Sequence, residues 1–501
     1  MFNIIKLNEK DNIGIAPMDI PQNININYGI KSINNIPYGH KISLKKIKSG
    51  DFIFKYGQII GISNKNIEPG EHVHSHNMGY SEFKREYIRK DIRNDINKSE
   101  KTEYFKGFKR NNGSSGTRNY IGLISTVNCS ATVVKKISDK INNYLKDKNF
   151  DNIDGAVCLK HSSGCGMNTS GYAMNVFNRT IEGFKIHPNF GKVFVIGLGC
   201  ECAQISLYNN DQEKRNIEYL NIQDEGGTNE IITKVTSKII NQLNEINSIS
   251  RTNIPISELT VALQCGGSDS YSGITANPAL GFASDMIIDH GGTTLLSETP
   301  EIYGAEHLLF EKSSNEKNIE KLNKQIEWWK KYVASNDSTL DNNPSPGNKK
   351  GGLTTILEKS LGAVSKAGNR NMVDVLDYAE QVKTKGFNFM NSPGYDPVSV
   401  TGQVASGANV ICFTTGRGSC FGFKPTPSIK IATNTNMYNK LSEDMDINAG
   451  TIMDNVASVN EVGKEIFDKI ISVASGEKSK SEINDYGDCL LYTSDAADEL
   501  R

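Results

Sequence analysis

The chain reads as an α/β protein that carries a small all-β unit at its N-terminus. Three observations predict this. Residues 12–76 hold short apolar pairs broken by Gly50, Gly57, Gly61 and Pro69-Gly70, a turn spacing that suits short strands. From about Phe108 the grammar changes. Apolar runs such as IGLISTV, GAVCL, KVFVIGLG and LTVAL each end in a polar, glycine-bearing loop. Helical periodicity lies between several of these runs, over Ala131–Leu145 and in the stripe Ile319, Leu322, Ile326, Trp329, Val333. Buried strands alternating with helices predict two α/β units with mainly parallel sheets, whose ligands collect at the carboxyl ends of the strands.

In chain order, residues 1–80 form the all-β unit. Residues 81–106 are half charged and poor in apolar side chains, so they read as a solvated linker. Residues 107–250 and 251–488 make the two α/β units. The connection from Ser335 to Gly352 contains NNPSPGNKKGG and is long for a spacer; it closes a unit or forms an active-site loop. The segment CLLYTSDAADE, from Cys489 to Glu499, matches the translation of a transposon-type sequencing adapter. Residues 489–501 are therefore expected to be a disordered artefact and are set aside.

Bulk properties exclude several functions. A formal net charge of -1 argues against a strongly basic nucleic-acid binder. No apolar run reaches the eighteen residues of a membrane span, and MFNIIKLNEKDNIGIA lacks the apolar core of a secretory signal. A cytoplasmic protein without nucleic-acid or membrane partners is expected, with a homo-oligomer left open. The nine cysteines are scattered and contain no CxxC pair, which argues against a zinc ribbon or a thioredoxin-type site.

One stretch, VALQCGGSDSYSG at 261–273, is denser in chemistry than a turn requires. An apolar strand runs straight into Cys265, Gly266, Gly267, Ser268 and Asp269. Glycines there let a small molecule approach backbone donors closely.

Several segments together resemble the altronate/galactarate dehydratase family. They are GTRNYIGLISTVNCSATV, HSSGCGM, IGLGCE, LQCGGSDSYSGITANPALG, NPSPGNKKGGLTTILEKSLGAVSKAG, FTTGRGSCFGFKPTPSIKIATNT and DINAGTI. IPYGHKI and HVHSHN resemble that family's N-terminal SAF-type β-clip domain. FMNSPGYDPVSVTGQVASGANV is closer to the altronate branch than to the galactarate branch. The resemblance implies a lyase that takes D-altronate to 2-dehydro-3-deoxy-D-gluconate and water, using a divalent metal, Fe(II) or Mn(II). Galactarate dehydratase and a sulfolactate-type sulfo-lyase are the alternatives within the enzymes. A sugar-acid binding module or a four-cysteine iron–sulfur electron carrier are the alternatives outside that chemistry.

Such a dehydration needs a cation beside the substrate carboxylate, a base for the C2 proton and an acid for the C3 hydroxyl. His72, His74 and His76 point to one face if HVHSH is extended, and imidazoles suit iron and manganese. Cys129, Cys165, Cys200 and Cys265, with Glu201, form an alternative metal set at predicted strand ends. His74, Lys160, His161 and Asp269 are the candidates for proton transfer. Arg118, Gly266, Gly267, Ser268, Lys349, Lys350 and Arg417 are the candidates for gripping a sugar acid. Of these, Arg417 suits a bidentate carboxylate clamp, and Lys349 and Lys350 are expected just before a helix start near Leu353. Asp444 and Asp446 either bind a cation or cap a helix. Trp329 reads as core rather than as a sugar platform.

Overall fold

The computed structural model describes residues 2–83, 102–209 and 216–487. Most of the predicted linker and the predicted adapter tail lie outside the described residues. The linker's end is corrected: Tyr104–Lys109 is a strand, paired antiparallel with Thr252–Pro255 and with Ser115–Gly116. Phe105 and Phe108, on opposite faces of the strand, are both buried, which outweighs the charge between them.

The N-terminal unit is all-β, as predicted. The strands Ile13–Ile15, Lys41–Ser43 and His72–Val73 form one antiparallel sheet. Phe52–Lys55, Gln58–Ser63 and Met78–Gly79 form a second. Ile13, Ile15, Ile53, Ile60, Val73 and Met78 are buried between them. They share one apolar cluster with Tyr271, Ala276 and Leu361 of the large unit. The small unit is therefore packed onto the rest of the chain.

Two parallel sheets follow. The first orders its strands Gly155–Leu159, Tyr120–Ser125, Phe190–Gly197, Ile217–Asn221. The predicted helix over Ala131–Leu145 forms with those bounds and buries Val133, Val134, Ile137 and Ile141 on one face. The second sheet has seven parallel strands, in the order Met372–Leu376, Gly386–Met390, Thr293–Leu296, Thr260–Cys265, Val410–Thr415, Ser428–Ala432, Ile447–Asn448. The helix Glu316–Ser335 buries the predicted stripe, Trp329 included. No helix among the described residues is long and apolar enough to cross a membrane.

In each sheet the earliest strand lies inside, flanked on both sides by later ones. Connections leave it in opposite directions and open a crevice at its carboxyl end. Asn128-Cys129 follows that strand in the first sheet. Cys265-Gly266-Gly267 follows it in the second.

Candidate functional site

The strand Thr260–Cys265 is apolar and almost wholly buried, so it delivers Cys265 to the sheet edge with little freedom. Gly266 is required where it stands. A Cβ there would sit 2.4 Å from a carboxylate oxygen of Asp396 and 2.5 Å from the Phe413 ring. Gly267 adopts φ +63°, and its carbonyl accepts from the amides of Gly416 (3.1 Å) and Arg417 (2.9 Å). The two loops at the switch point are thus tied together. Beside them lies a crevice of about 290 Å³, lined by Cys265, Gly267, Glu301, Asn343, Lys359 and Asp396 among others.

Its charged wall comes from residues the sequence reading did not single out. Cys265 Sγ lies 3.5 Å from a Glu298 oxygen and 3.4 Å from a Glu301 oxygen. Lys359 Nζ donates to Glu301 (2.6 Å) and to Asn343 Oδ1 (2.9 Å). Lys366 Nζ is 3.4 Å from Glu298. Cys265, Glu298 and Glu301 are the one group among the described residues whose metal-binding atoms all lie within 4.8 Å of one another.

Burial governs the protonation here. It pushes Asp396 up to about 7, helped by the nearby Glu301 charge. It pushes Glu298 up to about 8, again helped by Glu301. Burial and Glu298 also drive the Cys265 thiol well up. Lys359 is different: burial opposes its charge most strongly, but the charge and hydrogen bond of Glu301 together with Cys265 and Glu298 outweigh it, so it stays an ammonium. A divalent cation fits this donor set. With Cys265, Glu298, Glu301 and Asp396 ionised, four negative charges face the two ammoniums of Lys359 and Lys366, and a dication balances them. Glu298 Oε1 is also buried with no hydrogen-bond partner among the described residues.

The small unit closes over the neighbouring segment. Ser345 caps the short helix Pro346–Lys350, and Asn348 in it donates to the Ser268 carbonyl (2.7 Å). His74 Nε2 lies 2.9 Å from the Lys349 carbonyl and His40 Nε2 lies 3.2 Å from that of Lys350. A carbonyl can only accept, so both nitrogens carry hydrogen. His40 Nδ1 then accepts from His72 Nε2 across 3.0 Å. Burial drives His72 to about 3, helped by the other imidazoles, and His74 to about 4, so both are neutral near pH 7. The three predicted metal histidines do not bring their donor atoms within 4.8 Å of one another. His74 is engaged with Lys349 and Ser75, and His76 is exposed. Deeper in the same interface, Lys41 and Lys55 donate to the two oxygens of Glu358 at 2.8 and 2.9 Å, all three side chains fully buried.

Lys349 and Lys350 end the short helix Pro346–Lys350 and also precede the helix Ile356–Val364, and the amides of Gly351 and Gly352 bond back to Gly347 and Lys349. Arg118 is also corrected. It is 1% exposed, and its guanidinium donates to both oxygens of Glu482 (2.6 and 2.8 Å) and to the carbonyls of Thr117, Val473 and Glu477. With its donors occupied it holds the last helices of the fold. Arg118→Ala should therefore cost about 3 kcal/mol in urea unfolding and leave the KM for substrate unchanged; a raised KM at undiminished stability would restore the binding role.

Asp269 is buried, accepting from Thr433, Asn434 and Ser272, and its carboxylate seats the Gly416 loop. Ser268 contributes its carbonyl. Arg417 is exposed at the switch point, with no ion-pair partner among the described residues. Lys160 is half-buried at the end of its strand. His161 is buried, with Nε2 on the Ser125 carbonyl (2.8 Å) and Nδ1 accepting from the Ser163 amide (3.1 Å). Glu201 accepts from Thr126 and from the amides of Leu198 and Gly199. Cys129, Cys165 and Cys200 are exposed on the first sheet's edge. Asp446 bonds the amides of Lys430 and Lys480, and Asp444 accepts from Tyr486.

Comparison with known proteins covers the whole architecture. The SAF domain of altronate/galactarate dehydratases matches residues 2–81. The second domain of D-galactarate dehydratase/altronate hydrolase matches residues 107–247. The C-terminal part of D-galactarate/altronate dehydratases matches residues 256–496. The chain is 36% identical to the altronate dehydratase of Bacillus subtilis (strain 168) over 508 residues, 99% of each chain. It is 34% identical to the altronate dehydratase of Escherichia coli (strain K12), over 98% of this chain and 99% of the relative. It is 36% identical to the galactarate dehydratase (L-threo-forming) of the same organism, over 95% and 93%.

Proposed function

The chain belongs to the D-galactarate/altronate dehydratase family, and from that membership we propose that it removes water from D-altronate to give 2-dehydro-3-deoxy-D-gluconate. The observation that carries this reading is Asp396 and the protonated Lys359 facing one crevice at the switch point of the larger sheet. The altronate-like segment supports the choice of substrate. It supplies Gly394, Tyr395 and Asp396 to the crevice wall.

In this reading the substrate carboxylate lies against the Lys359 ammonium, with Arg417 at the loop tip as a second cation. Asn343, Ser345 and Asn348 face the sugar hydroxyls. Asp396 takes the C2 proton, and the C2–H electron pair moves toward the carboxylate held by Lys359 as an enolate, then returns to form the C2–C3 double bond as the C3–O bond breaks. The same proton passes from Asp396 to the departing hydroxyl, which leaves as water. The resulting enol rearranges to the 2-keto acid. One carboxyl can serve both steps because its pKa stands near the working pH. Cys265, Glu298 and Glu301 would hold Fe(II) or Mn(II), which supplies Lewis-acid stabilisation of the developing enolate when bound.

The test is a keto-acid assay over a panel of hexonates and hexarates. D-Altronate should exceed galactarate in kcat/KM by about tenfold or more, a margin of about 1.4 kcal/mol in transition-state binding. A preference for galactarate sinks the substrate; no keto acid from any member sinks the reaction.

A further inference from the structure

Free cysteine is among the most buried residue types. Cys265 and Cys412 conform, yet Cys129, Cys165 and Cys200 are exposed. These three stand on the loops that follow three adjacent strands of the first sheet, Tyr120–Ser125, Gly155–Leu159 and Phe190–Gly197. The strand ends are level: Ile124 pairs with Leu159, and Ser125 with Ile196.

The loops are laced to one another. The Asn128 amide donates to the Ser163 carbonyl (3.0 Å), that of Cys202 to Cys165 (3.0 Å) and that of Ala203 to Gly164 (3.2 Å). Gly164 has φ +101°, and a Cβ on it would fall 2.2 Å from the Thr126 carbonyl oxygen, so only glycine lets these loops meet. Each loop is pinned from below by a buried polar side chain. Ser130 bonds the Ile196 carbonyl, His161 bonds Ser125 and Ser163, and Glu201 bonds Thr126, Leu198 and Gly199. Three rigid loops thus present three thiols to solvent at one edge.

A single ion held by three thiolates needs sulfurs about 3.8 Å apart. Among the described residues, no three histidine, cysteine or acidic donors at this edge come within 4.8 Å of one another. A cluster binds each thiolate through a different iron, so its ligands stand farther apart, and an all-sulfur set selects such soft groups. We propose that Cys129, Cys165 and Cys200 are the protein ligands of an iron–sulfur cluster at the carboxyl edge of the four-stranded sheet. Three thiolates on a four-iron cluster leave one iron open to an oxygen ligand, a water or a hydroxy-carboxylate. The site uses none of the Cys265–Glu298–Glu301 donors and stands whether or not the dehydratase reading holds.

The full chain, handled without oxygen, is reconstituted with ferrous iron, sulfide and dithiothreitol. About four irons and four acid-labile sulfides per chain are expected, with broad visible charge-transfer absorbance. Cys129→Ser, Cys165→Ser and Cys200→Ser should each lose most of the labile sulfide with an unchanged melting curve. Cys420→Ser, exposed on another loop, should keep it. On the unmutated protein, cluster loading should protect the three thiols from alkylation, read by mass spectrometry, while Cys420 is modified. Iron without labile sulfide, full sulfide in the triple variant, equal loss in Cys420→Ser, or unprotected thiols would each overturn the assignment. Keto-acid formation is scored separately, so a sulfide-free protein that dehydrates sugar acids removes the cluster alone.

Discussion

Replacing Glu358 by alanine should cost about 3–5 kcal/mol, a large share of the stability of an ordinary domain. The carboxylate lies between two buried ammoniums, Lys41 and Lys55, brought to it by the small unit. Removing it leaves two uncompensated charges in an apolar interface, which is worse than having none. The variant carrying Lys41→Met, Lys55→Met and Glu358→Leu together should therefore recover most of the loss, because it removes the charges as a set. Burial alone would raise the Glu358 carboxyl, but the two ammoniums outweigh it and hold it far below the carboxylate range. Its folded pKa is thus below its unfolded value of about 4.3. The stabilisation is complete above that value and is lost as pH falls through it toward the folded pKa. Urea unfolding from pH 7 to pH 3 should show this slope in the native chain and a shallower one in Glu358→Ala. A cost below about 1 kcal/mol for Glu358→Ala would mean that the interface is wet and that the triad does not clamp the two units.

The helix that carries Glu358, Ile356–Val364, shows where sequence reading stops. The strand-end loops were legible because apolar runs and glycines are local signals, and the bounds of the helix over Ala131–Leu145 follow from periodicity alone. Cys265, Gly266 and Gly267 were found by the same route. Glu298, Glu301, Lys359, Lys366 and Asp396 were not. Each belongs to a segment that looks like an ordinary helix or turn, and each acquires meaning only from a partner far along the chain. Glu301 meets Lys359 across 58 positions, and Lys41 meets Glu358 across 317. One signal was present. Every residue of Ile356–Val364 is buried, and ILEKSLGAV places two charges inside that apolar stretch. Buried charges must be paired, so Glu358 and Lys359 could have been flagged as needing partners. Arg118 and His161 show the converse. Each sits in a suggestive loop, but backbone carbonyls and a carboxylate claim their donors. The sequence offers no sign of that, because carbonyls are everywhere.

Asp396→Asn should lower kcat/KM by about 10²–10⁴-fold, the usual contribution of a positioned acid or base. An amide keeps the shape of the side chain and its place beside Gly266 but cannot carry the C2 proton. The native chain should lose activity as pH falls below about 7, since burial and the Glu301 charge raise Asp396 to that value and only its ionised form can act as base. The slope should approach tenfold per pH unit, and the limb should vanish in Asp396→Asn. Asp396→Glu should retain the limb at a reduced rate, which separates proton transfer from packing. Lys359→Met should also cost activity heavily, through a raised KM as well as a lowered kcat, because the ammonium is assigned to the ground-state carboxylate and to the enolate alike. It strands Glu301 as well, so the pH profile rather than the size of the loss is the cleaner readout. If Asp396→Asn keeps an acidic limb near 7, another group does the titrating. Glu298, held near 8 beside Cys265, would then be next to replace. A full-speed Asp396→Asn enzyme would remove this residue from the reaction and leave the crevice as a binding site only.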